Sequence, residues 1–424
     1  MRLLLVYPPF APGSMMPFSV ANLKGMVQSK TSFDVKALDL NAKFHKLKSL
    51  DNFDKLSRTL EIHKKNNSKI KKGDKPEFFD ELLKLIEKEK ADYVAFSIVY
   101  SSQCFYAERL IEKIKCPVFL GGPGVSSKIK GKVIGSGEEL VNYLNERDAS
   151  TTLNNPDNNQ GDKFSKEAFC EPDFSDFDCR DYLSPDILPV KSTKGCYYGR
   201  CSFCSHHMKD SYKEIPLPDL NKKQGKHFFF IDDMISLKRL KEIASKIPEG
   251  SSWWAQLRPT KELLPHIDYL AEGGLKSVAW GVESGSQRML DKMRKGTNVN
   301  DISMVLRKAK KAGIINTIFI MFGFPGETKE DFFETMEFLE NNKGNIDIVS
   351  TSTFGLQKDT YVYENPEEFG IEIVKEERTF LDDKIDFYPK PGTFELKKRY
   401  AKRIESFNKF PKGYAYLKEQ TLFL

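Results

Sequence analysis

The sequence has no apolar run long enough to cross a membrane. Its longest apolar stretches, 93–100 and 314–324, fall well short of the ~18–20 residues that a membrane-spanning helix needs. The apolar stretch near the N-terminus, residues 3–7, is also too short for a secretory signal and runs directly into Pro8 and Pro9. We therefore expect a cytoplasmic protein in which residues 3–7 form the first β-strand.

The sequence also lacks a disulfide framework and a strong charge bias. Its seven cysteines are an odd number in a chain of 424 residues without a secretion signal, which argues against paired cysteines as the scaffold. The 66 basic and 60 acidic residues leave a net charge of only +6. This mixed charge gives no clear signal for a nucleic acid or a membrane surface as a partner. The length predicts two or three domains.

Residues 1–149 alternate short apolar runs with helical patterns, which predicts an α/β domain. The predicted strands are residues 3–7, 35–40, 92–99 and 117–120. Because these strands are apolar without alternation, we expect a doubly wound parallel sheet that is covered on both faces. A polar, lysine-rich insertion at 42–76 separates the second predicted strand from the third.

A linker and a second α/β region follow. Residues 150–184 begin with turn-forming residues that lack periodicity, which predicts a linker. Apolar runs and helical patterns alternate again over 185–356, which predicts a partial (β/α)6 barrel of the TIM type. The predicted strands here are residues 188–191, 227–231, 253–257, 277–282, 317–322 and 347–354. The basic, aromatic extension 357–424 is expected to pack over the barrel mouth or its edge.

Three of the cysteines are crowded into one short segment. Cys196, Cys201 and Cys204 have the spacing C-x4-C-x2-C, whereas the other cysteines are dispersed. Three thiolates on one loop can bind three irons of a four-iron cluster and leave the last iron open to a substrate or cofactor. The alternative is a zinc site in which His206 or His207 completes the three cysteines.

This cysteine loop resembles the cluster loop of radical S-adenosylmethionine (SAM) enzymes. It has one more residue in the first gap than the commonest spacing of that family, C-x3-C-x2-C. The resemblance implies a [4Fe-4S] cluster on the three cysteines, with the aromatic ring of Phe203 next to SAM. It also implies that an electron from a reductant such as flavodoxin or ferredoxin cleaves SAM to a 5′-deoxyadenosyl radical.

Polar side chains follow two of the predicted barrel strands. Asp232 and Asp233 come after 227–231, where the resemblance implies groups for the amino group of SAM. The alternative for either aspartate is an N-cap of the next helix. Arg258 comes after 253–257 and suits the SAM carboxylate or a substrate anion, with a surface salt bridge as its alternative.

Two further segments strengthen the resemblance to radical SAM enzymes. The stretch around Glu283 and Ser284 resembles the end of the family's fourth strand, which faces the ribose and carboxylate of SAM. The stretch 319–328, with Gly323, resembles the fifth strand and its turn near adenine. Because these segments follow the cysteine loop in the family's order and spacing, they favour a SAM site over a zinc site.

Residues 1–149 resemble the cobalamin-binding domain that precedes many radical SAM cores. The residues that the resemblance implies as cobalamin contacts are Gly121, Gly122, Gly135, Gly137 and Glu138. They follow predicted strands, where ligands of doubly wound sheets bind. The Asp-x-His-x-x-Gly loop that supplies a cobalt ligand in other cobalamin proteins is absent, since the only histidines of this region are His45 and His63. The alternative is a domain that kept the fold without the cofactor.

The resemblance implies a reaction class as well as cofactors. If cobalamin is bound, we expect methyl transfer to an unactivated carbon, with the difficult chemistry carried by the cofactors. The alternatives are a cobalamin-independent radical rearrangement, cyclisation or epimerisation, and a zinc or iron–sulfur binding module without catalysis. No side chain is assigned a catalytic role from the sequence.

Overall fold

The chain divides into two compact units, Met1–Pro185 and Asp186–Leu424. The structure is a computed structural model that describes residues 1–125, 129, 131–152, 170–205, 211–222, 226–375 and 385–424. Residues 153–169 of the predicted linker, and both His206 and His207, lie outside these ranges. Within the described ranges, every helix is too short or too polar to span a bilayer. The finer division of the chain at 149, 184 and 356 stays a prediction.

A five-stranded, fully parallel sheet forms the centre of the first unit. Its strands are β1 (Arg2–Tyr7), β2 (Asp34–Asp39), β3 (Tyr93–Ser97), β4 (Val118–Gly121) and β5 (Lys132–Val133). Their order is β2-β1-β3-β4-β5, which confirms the predicted parallel α/β sheet. The order reverses between β1 and β3, so the switch point of the sheet, where such folds bind ligands, lies between these two strands.

Helices flank this sheet and fill the insertion between β2 and β3. The α-helices of the first unit are Phe18–Lys30, Leu40–Leu47, Phe53–Ser57, Thr59–Lys71, Phe79–Lys88, Cys104–Ile111 and Gly137–Thr152, with 3₁₀ helices at Ser101–Gln103 and Cys179–Asp181. Leu3, Leu5 and Val20 belong to one buried cluster, in which the first helix packs on the sheet. The lysine-rich insertion is therefore helical.

Part of the predicted linker packs on the first unit. Lys24 is buried, and its Nζ lies 2.7 Å from Asp176 Oδ2. The hydroxyl of Tyr182 donates to Asp39 Oδ2 at 2.8 Å, in a buried contact. Residues 170–185 therefore belong to the first compact unit instead of forming a free connection.

A six-stranded parallel sheet forms the centre of the second unit. The strands of this unit are β6 (Ile187–Val190), β7 (Thr193–Lys194), β8 (Lys213–Glu214), β9 (His227–Phe230), β10 (Ser252–Leu257), β11 (Leu275–Glu283), β12 (Ile315–Phe322), β13 (Ile348–Thr353), β14 (Glu372–Lys375) and β15 (Asp386–Tyr388). The large sheet has the order β6-β9-β10-β11-β12-β13, and in the described part of the chain its two end strands do not pair. This confirms the partial barrel, whose strands coincide with the predicted apolar runs.

Helices connect the strands of the barrel and form its C-terminal extension. The α-helices are Leu237–Lys246, Ile267–Glu272, Gln287–Lys292, Val299–Lys311, Lys329–Asn341, Tyr361–Glu364, Thr393–Arg399, Ala401–Glu405 and Gly413–Tyr416, with 3₁₀ helices at Leu220–Lys222, Lys261–His266, Pro366–Phe369 and Lys418–Phe423. The extension lies along β13, where Asn408 Oδ1 accepts from Val349 N at 2.7 Å. It therefore covers an edge of the barrel.

Candidate functional site

The carboxylate of Asp232 holds the segment that leads into the cysteine loop. This buried side chain accepts hydrogen bonds from Ser192 N at 2.9 Å and from Thr193 N at 2.5 Å. Burial raises the pKa of Asp232, against the opposing effect of these hydrogen bonds. The carboxylate thus joins the end of β9 to the end of β6. The next helix is capped by Ser236, so the N-cap alternative for Asp232 and Asp233 is wrong.

Backbone hydrogen bonds hold the centre of the cysteine loop. All three of its cysteines are half-buried. Gly195 and Gly199 have φ values of 72° and 57°, a left-handed conformation that lets the loop turn sharply. Ser202 N donates to Met293 O at 2.9 Å, and Ser202 O accepts from Val362 N at 3.0 Å. The loop is therefore tied to the segments that follow β11 and β13.

Charged side chains lie around the thiol of Cys201. Lys295 Nζ is 2.9 Å from Glu283 Oε1, with side-chain exposures of 6% and 12%. Burial raises the pKa of Cys201 to about 11, while the charges of Lys295 and Arg258 act to lower it. Burial acts to lower the pKa of Lys295. Glu283 and Cys201 act in the opposite direction, and the pKa of Lys295 is raised above its ordinary value. These cations favour the thiolate form that iron requires.

Arg258 packs under the cysteine loop and is not a surface residue. Its guanidinium lies 3.5 Å from the centre of the Tyr198 ring. Nη2 of Arg258 donates to Lys295 O at 2.5 Å and to Gly296 O at 3.2 Å. The hydroxyl of Tyr198 donates to Arg294 O at 2.8 Å. With 6% of its surface exposed, Arg258 stabilises the loop from inside, and the surface salt bridge alternative is wrong.

Glu283 and Ser284 have different surroundings although they are adjacent in sequence. Glu283 has a φ of 67° at the end of β11, where the pairing with β12 shifts register. This conformation places its carboxylate at Lys295. The hydroxyl of Ser284 is buried, 3.1 Å from Thr335 Oγ1, and accepts from Ser286 N at 3.1 Å. Glu283 therefore lies near the cysteine loop, whereas Ser284 supports a neighbouring helix.

Gly323 and Phe203 lie near the turn after β12. Gly323 has a φ of 76°, and a Cβ there would lie 1.7 Å from the ring of Phe394, so only glycine fits. Its N–H donates to Glu327 Oε2 at 2.5 Å, and burial raises the pKa of Glu327 to about 7. The ring of Phe203 packs edge-on against Phe324, with centroids 6.5 Å apart. An apolar surface thus adjoins this turn.

A cavity of about 680 Å³ opens beside the cysteine loop. Its lining includes the aromatic rings of Tyr197 and Tyr198 and the side chains of Arg258 and Thr297. The volume falls in the range of small-molecule sites. Arg258 Nε and Thr297 Oγ1 are buried without a hydrogen-bond partner among the described residues. The cavity therefore has both aromatic and cationic side chains in its lining.

The donor set of the cysteine loop fits an iron–sulfur cluster. Three thiols on one loop, with cations next to Cys201, are the ligands that such clusters use. In the part of the chain that the structure describes, no three His, Cys, Asp or Glu side chains are arranged to hold a single metal ion. A four-iron cluster binds each thiolate at a different iron, so it does not require that arrangement. The alternative zinc ligands His206 and His207 lie outside the described ranges.

Two of the glycines expected at cobalamin pack against their own chain. A Cβ on Gly122 would lie 2.3 Å from Ile98 O, and a Cβ on Gly137 would lie 2.8 Å from Met26 Sδ. Gly122 is therefore needed for packing against the backbone, whether or not a ligand binds, whereas the side chain of Met26 could move to make room at Gly137. Of the remaining expected contacts, Gly121 is the last residue of β4, and Gly135 and Glu138 follow β5.

Sequence reasoning missed Lys295 and Tyr198 as residues of the site. A lysine next to other basic residues is usually a solvated surface group, and Lys295 follows Arg294. The local signal in the sequence is Gly296, because a Cβ at this position would lie 2.2 Å from the hydroxyl oxygen of Tyr198. The pairing of Lys295 with Glu283 joins separate segments and has no sequence signature.

Comparison with known families identifies the second unit. Residues 190–339 match the family model described as the radical SAM superfamily. This range runs from the end of β6, through the cysteine loop, into helix Lys329–Asn341. Residues 190–339 are therefore similar to the domain of radical SAM enzymes.

Solved structures extend this likeness to both units. TsrM from Kitasatospora setae, a radical SAM methyltransferase solved with cobalamin and a [4Fe-4S] cluster, matches with a TM-score of 0.60 and 17% identity over 88% of this chain and 80% of that chain. The cobalamin-dependent SAM radical enzyme OxsB matches with a TM-score of 0.65 and 15% identity over 96% of this chain and 66% of that chain. The chain thus has the fold of cobalamin-dependent radical SAM enzymes.

Curated relatives match over shorter ranges. An uncharacterised methyltransferase of Pyrococcus horikoshii is 26% identical over 308 residues, which are 61% of this chain and 66% of that protein. A tRNA-2-methylthio-N(6)-dimethylallyladenosine synthase of Shewanella baltica is 32% identical over 106 residues, which are 24% of this chain and 22% of that protein. The chain therefore spans just under two thirds of the first relative and under a quarter of the second.

Proposed function

We propose that this protein is a radical SAM enzyme in which Cys196, Cys201 and Cys204 hold a [4Fe-4S] cluster. The observation that carries the proposal is the position of these thiols, on one hydrogen-bonded loop that follows the first strand of a parallel barrel. The match of residues 190–339 to the radical SAM superfamily supports it. When bound, the cluster and SAM supply a 5′-deoxyadenosyl radical, and the protein supplies binding and orientation.

The charged residues near the loop have distinct proposed roles. Lys295 and Arg258 place positive charge beside Cys201, which favours a bound thiolate. Glu283, held at Lys295, is positioned to accept hydrogen bonds from the ribose hydroxyls of SAM. Asp232 is already hydrogen-bonded to the chain, so we assign it a positioning role at the start of the loop. Asp233, the next residue, is half-buried, and the resemblance to radical SAM enzymes makes it a candidate for contact with the amino group of SAM.

The proposed reaction is methyl transfer to an unactivated carbon, with cobalamin bound by the first unit. The likeness of fold to TsrM and OxsB across both units supports it. A second candidate is a cobalamin-independent radical rearrangement, cyclisation or epimerisation. The packing of Gly122 against the backbone of Ile98 favours that candidate, because it explains this glycine without a ligand.

Product analysis separates these reactions. The full chain is reconstituted anaerobically with iron and sulfide and incubated with SAM and dithionite, with and without hydroxocobalamin. Cobalamin-dependent methyl transfer predicts S-adenosylhomocysteine only when cobalamin is present. A cobalamin-independent enzyme releases 5′-deoxyadenosine in both samples and no S-adenosylhomocysteine. Intact SAM in every sample, from protein that contains the cluster, would contradict the proposed function.

A further inference from the structure

Arg294, two residues after helix Gln287–Lys292, has a left-handed backbone conformation although it is not a glycine. Its φ is 52°. This conformation is unfavourable for an arginine and persists only where the surrounding structure imposes it. The residues on either side, Met293 and Lys295, are buried, whereas 43% of the Arg294 side chain is exposed. Burial of the side chain therefore does not explain the conformation of Arg294, and its contacts have to.

Two side chains of the C-terminal extension hold the guanidinium of Arg294. The guanidinium lies 3.6 Å from the centre of the Tyr361 ring. Its Nη2 lies 3.0 Å from Glu368 Oε1, and the hydroxyl of Tyr361 donates to Glu368 Oε2 at 2.7 Å. Each of the three side chains therefore contacts the other two. An exposed ion pair alone contributes little, but stacking on the ring adds to it and limits the guanidinium to one orientation.

The backbone at Arg294 accepts hydrogen bonds from the cysteine loop. Arg294 O accepts from the hydroxyl of Tyr198 at 2.8 Å, and the preceding Met293 O accepts from Ser202 N at 2.9 Å. Tyr198 and Ser202 each lie between two of the three loop cysteines in the sequence. A change in the position of Arg294 therefore changes the position of the segments that join the thiols.

The extension also contacts the cysteine loop directly, next to Tyr361. Val362 is buried, and its N–H donates to Ser202 O at 3.0 Å. Val362 and Phe369 belong to a buried apolar cluster, against which Phe203 of the loop packs. The segment 361–369 therefore holds the loop in two ways, through Arg294 and through Val362.

Position, and not charge, is the property that Arg294 contributes to the loop. The cations that act most strongly on the thiol of Cys201 are Lys295 and Arg258. The guanidinium of Arg294 instead turns to the extension, where it is paired with Glu368. The segment 361–369 also lies beyond residues 190–339, the range that matches the radical SAM superfamily. The contacts at Arg294 are therefore a feature of this chain that the family match does not supply.

We infer that the segment 361–369 is a positioning element of the cluster site, with Tyr361 and Glu368 as positioning residues that act on the cysteine loop through Arg294. The inference rests on the proposed function, because it concerns the arrangement of the three thiols for a cluster. It gives the C-terminal extension, which follows the barrel in the sequence, a part in holding the cluster.

Substitutions at Arg294 and Tyr361 test this arrangement in the full-length protein. Arg294→Leu and Tyr361→Leu each remove the stacked pair, whereas Tyr361→Phe keeps the ring. Glu367→Gln, an exposed neighbour of Glu368, is the matched control. The rate at which iodoacetamide alkylates the loop cysteines is measured in the cluster-free protein by mass spectrometry, with Cys116 of the same chain as the internal reference.

Loss of the stacked pair should let the loop open more often, so each leucine variant should be alkylated about fivefold faster at the loop. The double variant Arg294→Leu with Tyr361→Leu should match the single variants, because all three break the same contact. Tyr361→Phe should react less than about twice as fast as the wild type, and the control at the wild-type rate. Equal acceleration at Cys116, or additive effects of the two leucine substitutions, would show a general loss of structure and overturn the inference.

Iron release provides a second measurement. After anaerobic reconstitution, the leucine variants should lose iron to a chelator about tenfold faster than the wild type, as for other groups that support metal ligands. Tyr361→Phe and Glu367→Gln should release iron at the wild-type rate. Wild-type rates of alkylation and of iron release in both leucine variants would overturn the inference and leave the proposed function intact. A wild-type protein that takes up no four-iron cluster would overturn the proposed function as well.

Discussion

The carboxyl edges of the two parallel sheets differ in how two kinds of buried side chain, carboxylates in the second unit and imidazoles in the first, are paired. In the second unit, Asp232 accepts hydrogen bonds from the chain and Glu283 forms an ion pair with Lys295. In the first unit, both ring nitrogens of His45 and Nε2 of His63 are buried without a hydrogen-bond partner among the described residues. Paired groups are positioned before a ligand arrives.

The largest effect is expected from the loop cysteines. Cys201→Ala should lower cluster content and SAM cleavage by more than the ~10–100-fold typical of groups that only support metal ligands. Cys116→Ala, a half-buried cysteine of the first unit, should retain both. Iron content and 5′-deoxyadenosine, measured after anaerobic reconstitution, test this difference. Equal loss in both variants would show that the loop cysteines have no special role.

The next effect concerns the ion pair between Glu283 and Lys295 at the carboxyl edge of the second unit's sheet. Glu283→Gln leaves Lys295 buried without a counter-charge, and breaking such a pair costs about 3–5 kcal/mol. The double variant Glu283→Gln with Lys295→Met should recover most of this loss, because no buried charge remains. Denaturant unfolding of the cluster-free protein measures both. If Glu283→Gln alone were neutral, this edge would not depend on the ion pair.

Glu327 provides a pH-dependent test at the same edge. Its folded-state pKa of about 7 lies above the ordinary value of 4.5, because of burial. Ionisation therefore costs folding free energy that accumulates as the pH rises from 4.5 to about 7 and is constant above. Glu327→Gln should raise stability at pH 8 by on the order of 2 kcal/mol and much less at pH 4. Exposed Glu334→Gln is the control, and a pH-independent gain would contradict this account.

The smallest effect compares a paired amide with the unpartnered groups of the first unit. Asn41 Oδ1 accepts from Ala11 N at 3.0 Å, and Asn41 Nδ2 donates to Ala11 O at 3.1 Å. Asn41→Leu leaves both backbone groups unpaired and should destabilise the protein by about 1–3 kcal/mol. His63→Phe should not. Equal destabilisation by the two substitutions, measured by denaturant unfolding, would remove the distinction between them.

The barrel could be predicted from the sequence because its strands are continuous apolar runs. Strand β9 is a run of three phenylalanines after His227, and its position matches the prediction. Helix Leu237–Lys246 also has local signals in the sequence, since Ser236 caps it and Leu240 and Ile243 are buried on one face. The cysteine spacing, which is local, was sufficient to locate the loop.

Contacts between distant polar residues could not be predicted in the same way. Lys24 forms an ion pair with Asp176, although the two residues lie near opposite ends of the first unit in sequence. Residues around Asp176, which were expected to form a linker, are therefore packed on this unit. The buried polar face of helix Thr59–Lys71 was read only as a polar insertion, because periodicity rules detect apolar faces. Asp232 could be placed at a strand end, but its hydrogen bonds to Ser192 depend on the neighbouring strand.

Spectroscopy of the reconstituted protein tests the central claim most directly. If the three cysteines hold a four-iron cluster with one open iron, the full chain should contain about four irons and four sulfides. Addition of SAM should then change the electron paramagnetic resonance spectrum of the reduced cluster. Stoichiometric zinc in place of iron, or a reduced cluster whose spectrum is unaffected by SAM, would contradict the account.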